Sequence, residues 1–312
     1  MRATITPPDV NRQALWARLN GACEALWPIL QPMLAQQPAL GSLSLEVVDA
    51  IDSTNSELMR RARQGQTEPA LLVALDQTAG RGRMGKSWHS TPGASLTFSI
   101  GLPLRPADWS GLSLAVGVSV AESLSALLDA HRQAGRASGP AITLKWPNDL
   151  WIDGHKLAGI LVETALAGGS RYAVMGIGIN IAPPAVSGLA QAATPSQTPA
   201  NGHTLPPAPA TGLAAHAPVD AADALTGLMP ALMSDLLVFE QQGFAPFAQR
   251  FVARDALYRR PLVLSDSTHG TGDGVDASGA LRVRTDAGVR LVTSAEVSVR
   301  PAPSPTQGGH GC

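Results

Sequence analysis

Apolar residues recur at helical spacing near the start of the chain, at Leu15, Trp16, Leu19, Cys23, Leu26, Trp27 and Leu30. That spacing predicts one amphipathic helix over 11–31, with Pro28 and Pro32 disturbing its end. From Leu43 the period becomes two, and Leu43, Leu45 and Val47 read as a strand. Thr54 and Glu57, three apart and just before Leu58, Met59 and Ala62, read as a capping box that opens a helix. Runs over 70–75 and 95–100 predict strands, with Gly- and Arg-rich sequence between them. A long apolar helix is predicted over 112–130, then strands over 142–146, 157–163 and 172–181. Two more helices follow over 221–241, interrupted at Pro230, and over 244–256. Short strands over 261–264, 280–284, 289–292 and 297–299, separated by Gly and Asp, suit a small SH3-like β-barrel. The order strand, helix, strands, helix, strands is α+β, a mixed β-sheet with helices, rather than a regular βαβ alternation.

One stretch carries no such pattern. Residues 183–219 contain no charged side chain, and about half are Pro or Ala. This reads as a low-complexity insertion in the surface. The organisation expected is a helical extension over 1–42, a main α+β domain over 43–257 that contains the insertion, an SH3-like domain over 258–300, and a Pro/Gly tail over 301–312. Lengthening a surface loop costs only about 0.6 kcal/mol per doubling, so a short Gly/Ser linker is expected to replace 183–219.

Composition narrows the classes. At 312 residues the chain is long enough for two domains, and 45% hydrophobic against 15% charged residues excludes a wholly disordered chain. A net charge of −1 argues against an electrostatic nucleic-acid or membrane binder. Pro7, Pro8 and Asp9 arrive too early for a secretory h-region, and the best bilayer candidate, 112–128, is interrupted by several Ser and by Glu122. Two cysteines, Cys23 and Cys312, make neither a disulfide framework nor a zinc site, and point to a reducing cytoplasm. Of the 23 basic residues only Lys86, Lys145 and Lys156 are lysines. Codon bias explains an excess of Arg. A chain that writes its cations as Arg still has a reason for each compact point charge, and all three fall within 86–156.

That region holds an octet that satisfies a phosphate-loop formula, Gly80-Arg81-Gly82-Arg83-Met84-Gly85-Lys86-Ser87. The formula needs a helix to begin at the Lys. Here Trp88-His89-Ser90-Thr91-Pro92-Gly93 follows, and Pro92 and Gly93 would break such a helix in its second turn. The octet keeps other uses: glycines for close approach, two Arg forks for carboxylate and phosphate, and a flat Trp88 face. By itself it reads equally as an exposed hairpin. Three further segments place polar groups in apolar surroundings. Lys145-Trp146-Pro147-Asn148-Asp149 sets a cation, an amide and a carboxylate around a Pro-fixed turn. Lys156-Leu157-Ala158-Gly159-Ile160-Leu161 opens an apolar strand with a cation, which an edge strand would also do. Gly176-Ile177-Gly178-Ile179-Asn180 puts two glycines in a strand, often the mark of a close ligand or backbone approach.

Together the segments resemble the biotin–protein ligases. The matching pieces, in order, are Asp52-Ser53-Thr54-Asn55, then Gln77 with Gly80-Arg81-Gly82-Arg83 and Trp88, then Lys145 to Asp149, Lys156 with Gly159-Ile160-Leu161, and Gly176, Gly178 and Asn180. Order and spacing agree over roughly residues 46–182. Met84 and Lys86, where the family commonly has Arg, and the run 183–219 depart from the pattern. The resemblance implies a catalytic domain like that of class II aminoacyl-tRNA synthetases, a C-terminal SH3-like barrel, and the class without an N-terminal DNA-binding domain. It implies that biotin's carboxylate attacks the α-phosphate of ATP, with Mg²⁺, giving biotinyl-5′-adenylate. A carrier lysine then displaces AMP.

Residue by residue, the resemblance implies that Ser53, Thr54 and Gln77 bind the ureido ring, with Asn55 and Gly159 also in the biotin site. Arg81, Gly82 and Arg83 would close over biotin and phosphate. Lys156 would sit where carboxylate meets phosphate, and Lys145 would stabilise phosphate charge. Trp88 and Asn180 would hold adenine, and Asn148 and Asp149 would line the phosphate and metal side. Asp149 serves either Mg²⁺ or the incoming lysine. The catalytic set is then Lys156, Arg83, Lys145 and Asp149. The expected partner is a biotin carboxyl carrier domain of a carboxylase, with no specific DNA, no membrane, and a monomer or weak homodimer. A lipoate- or octanoate-transferring relative of similar fold is the alternative enzyme; it would want a greasy tunnel where this chain has Ser53-Thr54-Asn55 and Gln77. A non-catalytic Arg/Gly nucleic-acid module is the alternative of another class, but aromatics are only 4% and the chain is near neutral.

Overall fold

The computed structural model describes residues 12–37, 40–131, 141–167, 170–184, 209–293 and 299–301. Residues 1–11, the tail from 302 with Cys312, the run 185–208 and the first part of the expected strand 297–299 lie outside them.

The central element is a seven-stranded mixed sheet. Its strands are β1 (Ser44–Ile51), β2 (Ala70–Gln77), β3 (Ser95–Leu102), β4 (Ile142–Lys145), β5 (Asp149–Ile152), β6 (His155–Ala167) and β7 (Ser170–Asn180), in the order β1-β2-β3-β7-β6-β5-β4. β1 and β2 are parallel and are joined through α2 (Thr54–Arg63); every other pair is antiparallel. β2 is apolar without alternation because both its faces are covered. Leu71, Val73 and Leu75 enter the large core, while Ala70 and Leu72 meet Leu58, Met59 and Ala62 of α2 on the other face.

The large core lies under α1 (Arg12–Ala35), α3 (Leu112–Ala130), α4 (Ala221–Gln242) and α5 (Ala245–Val252). α3 and α4 are long and apolar enough to cross a bilayer by length and composition, yet here they bury Leu124, Leu128, Leu225 and Leu232 in that core. α1 is part of the same core, through Leu19, Cys23, Leu26, Leu30 and Leu34. It runs past Pro28 and Pro32 to Ala35, longer than the spacing predicts. Both prolines are on partly exposed or exposed positions, and the buried stripe Leu26, Leu30, Leu34 continues beside them. Packing of that stripe outweighs a propensity cost of about 3 kcal/mol per proline. α4 likewise continues through Pro230, where an interruption is predicted.

Other boundaries also shift. α2 is capped by Ser53, whose side chain accepts from the backbone of Ser56; Thr54 is its first helical residue, so the expected Thr54–Glu57 box does not form. Glu57 bonds Arg60 and Arg61 instead. β5 goes unpredicted because its four residues follow directly on the Pro147 turn. At the C-terminal end β8 (Pro261–Leu264), β9 (His269–Val275), β10 (Leu281–Thr285), β11 (Gly288–Val292) and β12 (Val299–Pro301) make a five-stranded antiparallel sheet. β9, His-Gly-Thr-Gly-Asp-Gly-Val, has no apolar alternation to betray it. This sheet joins the core through Leu262, Leu264, Leu281 and Val283, and Trp146 Nε1 donates to Gly279 O at 3.0 Å.

The largest correction concerns 183–219. Its described end is built into the fold. Lys156 N donates to Pro209 O at 2.8 Å, and Thr211 N donates to Lys156 O at 3.0 Å. Ala214 N donates to Ile181 O, and Leu213, Ala217 and Val219 are buried. Uniform Pro/Ala composition hides those few buried positions. The argument for a replaceable linker therefore reaches only residues 185–208. Leu213 is 0% exposed, so Leu213→Ala is expected to destabilise the protein. The expected loss is about 2–5 kcal/mol, measured by urea unfolding; a surface-loop position would give almost none.

Candidate functional site

Side chains on a strand alternate between faces, and on the α2 face of the sheet one region has almost none. Gly178 on β7 pairs with Thr97 on β3 and with Gly159 on β6, which pairs in turn with Asp149 on β5. Two residues along, Gly176 pairs with Ser99 and with Leu161. The glycines make a floor on which other groups lie directly on backbone. An added Cβ at Gly176 would run into Asn55 Oδ1, and one at Gly178 into the ring of Trp88. At Gly159 it would come within 3.3 Å of Trp88 Cζ3 and 3.4 Å of Lys156 Nζ.

At one end of this floor the start of α2 brings Ser53, Thr54 and Asn55 down onto the sheet, all of them buried. Thr54 N donates to Gln77 Oε1 at 2.8 Å, and Thr54 Oγ1 lies 2.7 Å from Ser99 Oγ. Ser99 Oγ donates to Asn55 Oδ1 at 2.7 Å. Asn55 Nδ2 donates to Glu163 Oε2 at 3.0 Å. A buried hydroxyl or amide costs free energy unless it is bonded, and these are bonded to one another.

The Gly/Arg octet forms a tight hairpin over the floor. Arg81 and Ser87 pair as an antiparallel bridge, Gly82 N donates to Lys86 O at 2.6 Å, and Met84 turns the chain with φ 55. No helix begins at Lys86, whose backbone is extended, so this is not a phosphate loop. Arg81 makes a two-pronged pair with Glu163 at 3.0 and 2.9 Å. Trp88, just after the hairpin, lays its ring on Gly178 and Gly159; its Nε1 is buried with no hydrogen-bond partner.

The other end of the cleft is charged. Lys156 Nζ is 2.7 Å from Asp149 Oδ1 and 5.8 Å from the centre of the Trp88 ring. Lys145 Nζ stands 5.3 Å over Trp151. Arg83 Nη1 approaches Asn148 Oδ1 at 3.5 Å, and Asn148 Nδ2 ties the turn to Ile160 O at 2.8 Å. Burial presses the Arg83 guanidinium below its usual pKa, against the raising effect of Asp149. It stays a cation at neutral pH.

One cleft is thus lined by Ser53, Thr54, Asn55, Gln77, Arg81, Gly82 and Arg83, and by Trp88, Lys145, Asn148, Asp149, Lys156 and Gly159. Asn180, at the end of β7 opposite Ser95, is 7% exposed, with Nδ2 donating to Lys156 O at 3.3 Å. The side chain expected to hold adenine is thus bonded to the Lys156 backbone through its Nδ2. Two residues went unseen in the sequence, Ser99 and Glu163. Their signal was polarity in phase with the glycines: Thr97 and Ser99 alternate within a buried apolar strand, and Glu163 is the one acid in the described part of β6.

Residues 47–180 match the biotin/lipoate A/B protein ligase family, and residues 262–300 match the biotin protein ligase C-terminal domain. A biotin--[acetyl-CoA-carboxylase] ligase of Paracoccus denitrificans is 37% identical over 252 residues, covering 79% of this chain and 96% of that protein. The bifunctional ligase/repressor BirA of Escherichia coli (strain K12) is 33% identical over 279 residues, covering 86% of this chain and 79% of that one. Among solved structures, a biotin protein ligase from Aquifex aeolicus in complex with biotin and ATP superposes with a TM-score of 0.63 at 25% identity. It covers 83% of this chain and 99% of that one.

The floor itself can be tested. Gly178→Ala is expected to unseat Trp88 and cost about 1–3 kcal/mol, the usual scale of overpacking. The near-ultraviolet circular dichroism should change while the far-ultraviolet spectrum stays, and the change should vanish in a Trp88→Phe background. An unaltered Trp88 signal would mean that the ring is not on the floor.

Proposed function

The chain belongs to the biotin protein ligase family, and from that membership we propose that it activates biotin as biotinyl-5′-adenylate and transfers it to a lysine of a biotin carboxyl carrier domain. The observation that carries the reading is the polarity of the cleft. One end holds a hydrogen-bonded set of neutral groups, Ser53, Thr54, Asn55, Gln77 and Ser99; the other holds Lys145, Lys156 and Arg83 with Asp149. A ureido ring needs donors and acceptors without charge, and a carboxylate meeting a triphosphate needs cations.

In the first step a biotin carboxylate oxygen attacks the α-phosphorus of ATP. The bond to the bridging oxygen breaks, and pyrophosphate leaves with its electron pair. Two anions meet, so the barrier is electrostatic, and preorganised cations lower it most. Lys156 is assigned the junction of carboxylate and phosphate, held ready by Asp149 at 2.7 Å and by backbone bonds to Pro209 and Thr211. Arg83 and Lys145 are assigned the phosphates, and Trp88 the face of adenine. Gly82 lets the Arg81–Arg83 hairpin come close. In the second step the carrier's ε-amine attacks the acyl carbon, AMP departs, and the amine's proton passes to Asp149.

Among the described residues no three acidic, His or Cys side chains cluster to cage a metal. A single carboxylate on the phosphate side does fit Mg²⁺ in its usual manner, bound mostly by nucleotide phosphates and water. Asp149, with Asn148 beside it, is the donor we assign. Mg²⁺ there would neutralise phosphate charge. Asp149 thus serves the phosphate side before pyrophosphate leaves and the amine afterwards. We assign no operator DNA and place the enzyme in the cytoplasm. α1 packs into the core instead of standing out as a reading helix.

A lipoate or octanoate substrate would leave the neutral polar end of the cleft unpaired, which disfavours it by the cost of unmade hydrogen bonds. The direct test is the mass of a purified carrier domain after incubation with ATP and biotin or octanoate. A gain with octanoate and none with biotin would reverse the assignment.

Lys156→Arg keeps the charge but puts a planar fork where a point charge sits between Asp149 and Trp88. Biotin-dependent ATP–pyrophosphate exchange is expected to fall by about 10²-fold or more, the scale of losing one transition-state donor. Circular dichroism checks the fold. Near-wild-type exchange would remove Lys156 from the catalytic set.

A further inference from the structure

One carboxylate at the edge of the cleft has no part in that scheme. Glu163 lies on β6 on the same face as Gly159 and Leu161. Its Oε2 accepts from Asn55 Nδ2 at 3.0 Å and from Arg81 Nη1 at 3.0 Å, and its Oε1 accepts from Arg81 Nη2 at 2.9 Å. Asn55 belongs to the neutral end of the cleft and Arg81 to the hairpin over it, so one carboxylate grips both.

The direction of the hydrogen bonds follows from it. An ionised carboxylate only accepts, so Asn55 must turn its NH₂ to Glu163 and its Oδ1 to Ser99. Ser99 gives its single proton to Asn55 Oδ1 at 2.7 Å. The 2.7 Å contact between Thr54 and Ser99 then requires the proton of Thr54. The 3.2 Å approach of Thr54 Oγ1 to Gln77 Oε1 is left without a proton, and Thr54 N at 2.8 Å holds that oxygen instead. Thr54 Oγ1 therefore faces the cleft as an acceptor, and Gln77 keeps its NH₂ as a donor. An acceptor beside a donor is the complement of a ureido N–H and C=O.

We propose that Glu163 is a positioning residue that couples the two. It sets the donor–acceptor polarity that selects a ureido head, and it holds Arg81 so that the hairpin stays closed over the adenylate. The inference rests on the ligase reading above. The Arg81–Glu163 pair is partly exposed, at 47% and 23%, and such pairs contribute little to stability. Its loss is therefore read in function more than in folding.

The test uses the purified full chain as wild type, Glu163→Gln and Glu163→Asp. One readout is the release rate of preformed biotinyl-adenylate in a chase. The other is the ratio of ATP–pyrophosphate exchange with biotin to that with 2-iminobiotin, in which an imine replaces the ureido oxygen. In Glu163→Gln, release is expected to quicken about tenfold and the ratio to fall about tenfold, the scale of one charge-assisted hydrogen bond. Glu163→Asp, which keeps the charge on a shorter stem, should recover part of both. Values within twofold of wild type in Glu163→Gln would overturn the proposal, as would a change in only one readout, since coupling demands both. A lower melting temperature with both readouts unchanged per folded molecule would make Glu163 merely structural. If Glu163→Gln does not fold, Glu163→Asp decides: intermediate shifts in both readouts support the coupling and wild-type values overturn it. A wild-type chain with no biotin-dependent exchange would instead overturn the ligase reading, and the coupling with it.

Discussion

The site depends on three glycines standing together on one face of the sheet. Gly159 and Gly178 are direct partners across β6 and β7, and Gly176 is the next residue on that face of β7. Without side chains there, Trp88, Asn55 and Lys156 can lie against backbone. A Cβ on either glycine of β7 would push one of them off. Glycine weakens a strand, so a central strand with two of them gives up some intrinsic stability for close approach. The sheet tolerates this because its other face is covered: Met175, Ile177 and Ile179 of β7 are in the large core.

The charged groups around the floor have a different logic from those elsewhere in the fold. Arg250 is held by Glu122 and Asp235, both within 3 Å, in a pairing that joins α3, α4 and α5. Those partners hold it in place. In the cleft, Lys156 pairs with Asp149 at 2.7 Å, and Arg83 approaches the Asn148 oxygen at 3.5 Å with burial working against its charge. Holding positive charge in a partly desolvated cleft is unfavourable for the free protein. The arrangement becomes favourable when anions enter, as substrates that carry a carboxylate and phosphates would.

How far the sequence could be read follows from which signals are local. α3 was legible to the residue because its apolar run is bounded by Gly111, and β8 because Pro261 opens four residues of strand. β9 was not, since glycines and polar residues form it and its pairing with β8 and β10 is what makes it a strand. Residues 209–219 were misread for a related reason. They are held by a backbone bridge to Lys156 and by Leu213 in the large core, neither of which leaves a periodic mark. At the site, the motif residues were legible as a set because their types are chemically unusual for their strands. Ser99 and Glu163 were not, because each is ordinary alone and acquires meaning only from the partner opposite. Asn180 shows the same limit from the other side: its motif position stands out in the sequence, but its hydrogen bond to the Lys156 carbonyl is visible only in the fold.

The distribution of lysines ties these points together. Codon bias accounts for an excess of Arg but says nothing about where the remaining Lys residues fall. All three, Lys86, Lys145 and Lys156, line the one cleft. Each of the two on the sheet stands over an indole, Lys145 over Trp151 and Lys156 over Trp88. An Arg could stack on those rings as well or better, so stacking does not explain the choice. What an Arg cannot do is put a compact charge beside Gly159 with Asp149 at 2.7 Å and the Trp88 ring already in place. The constraint is volume on the glycine floor. The same absence of side chains that seats the tryptophan also places the compact charge of Lys156 against Gly159, 3.4 Å from where a Cβ would stand.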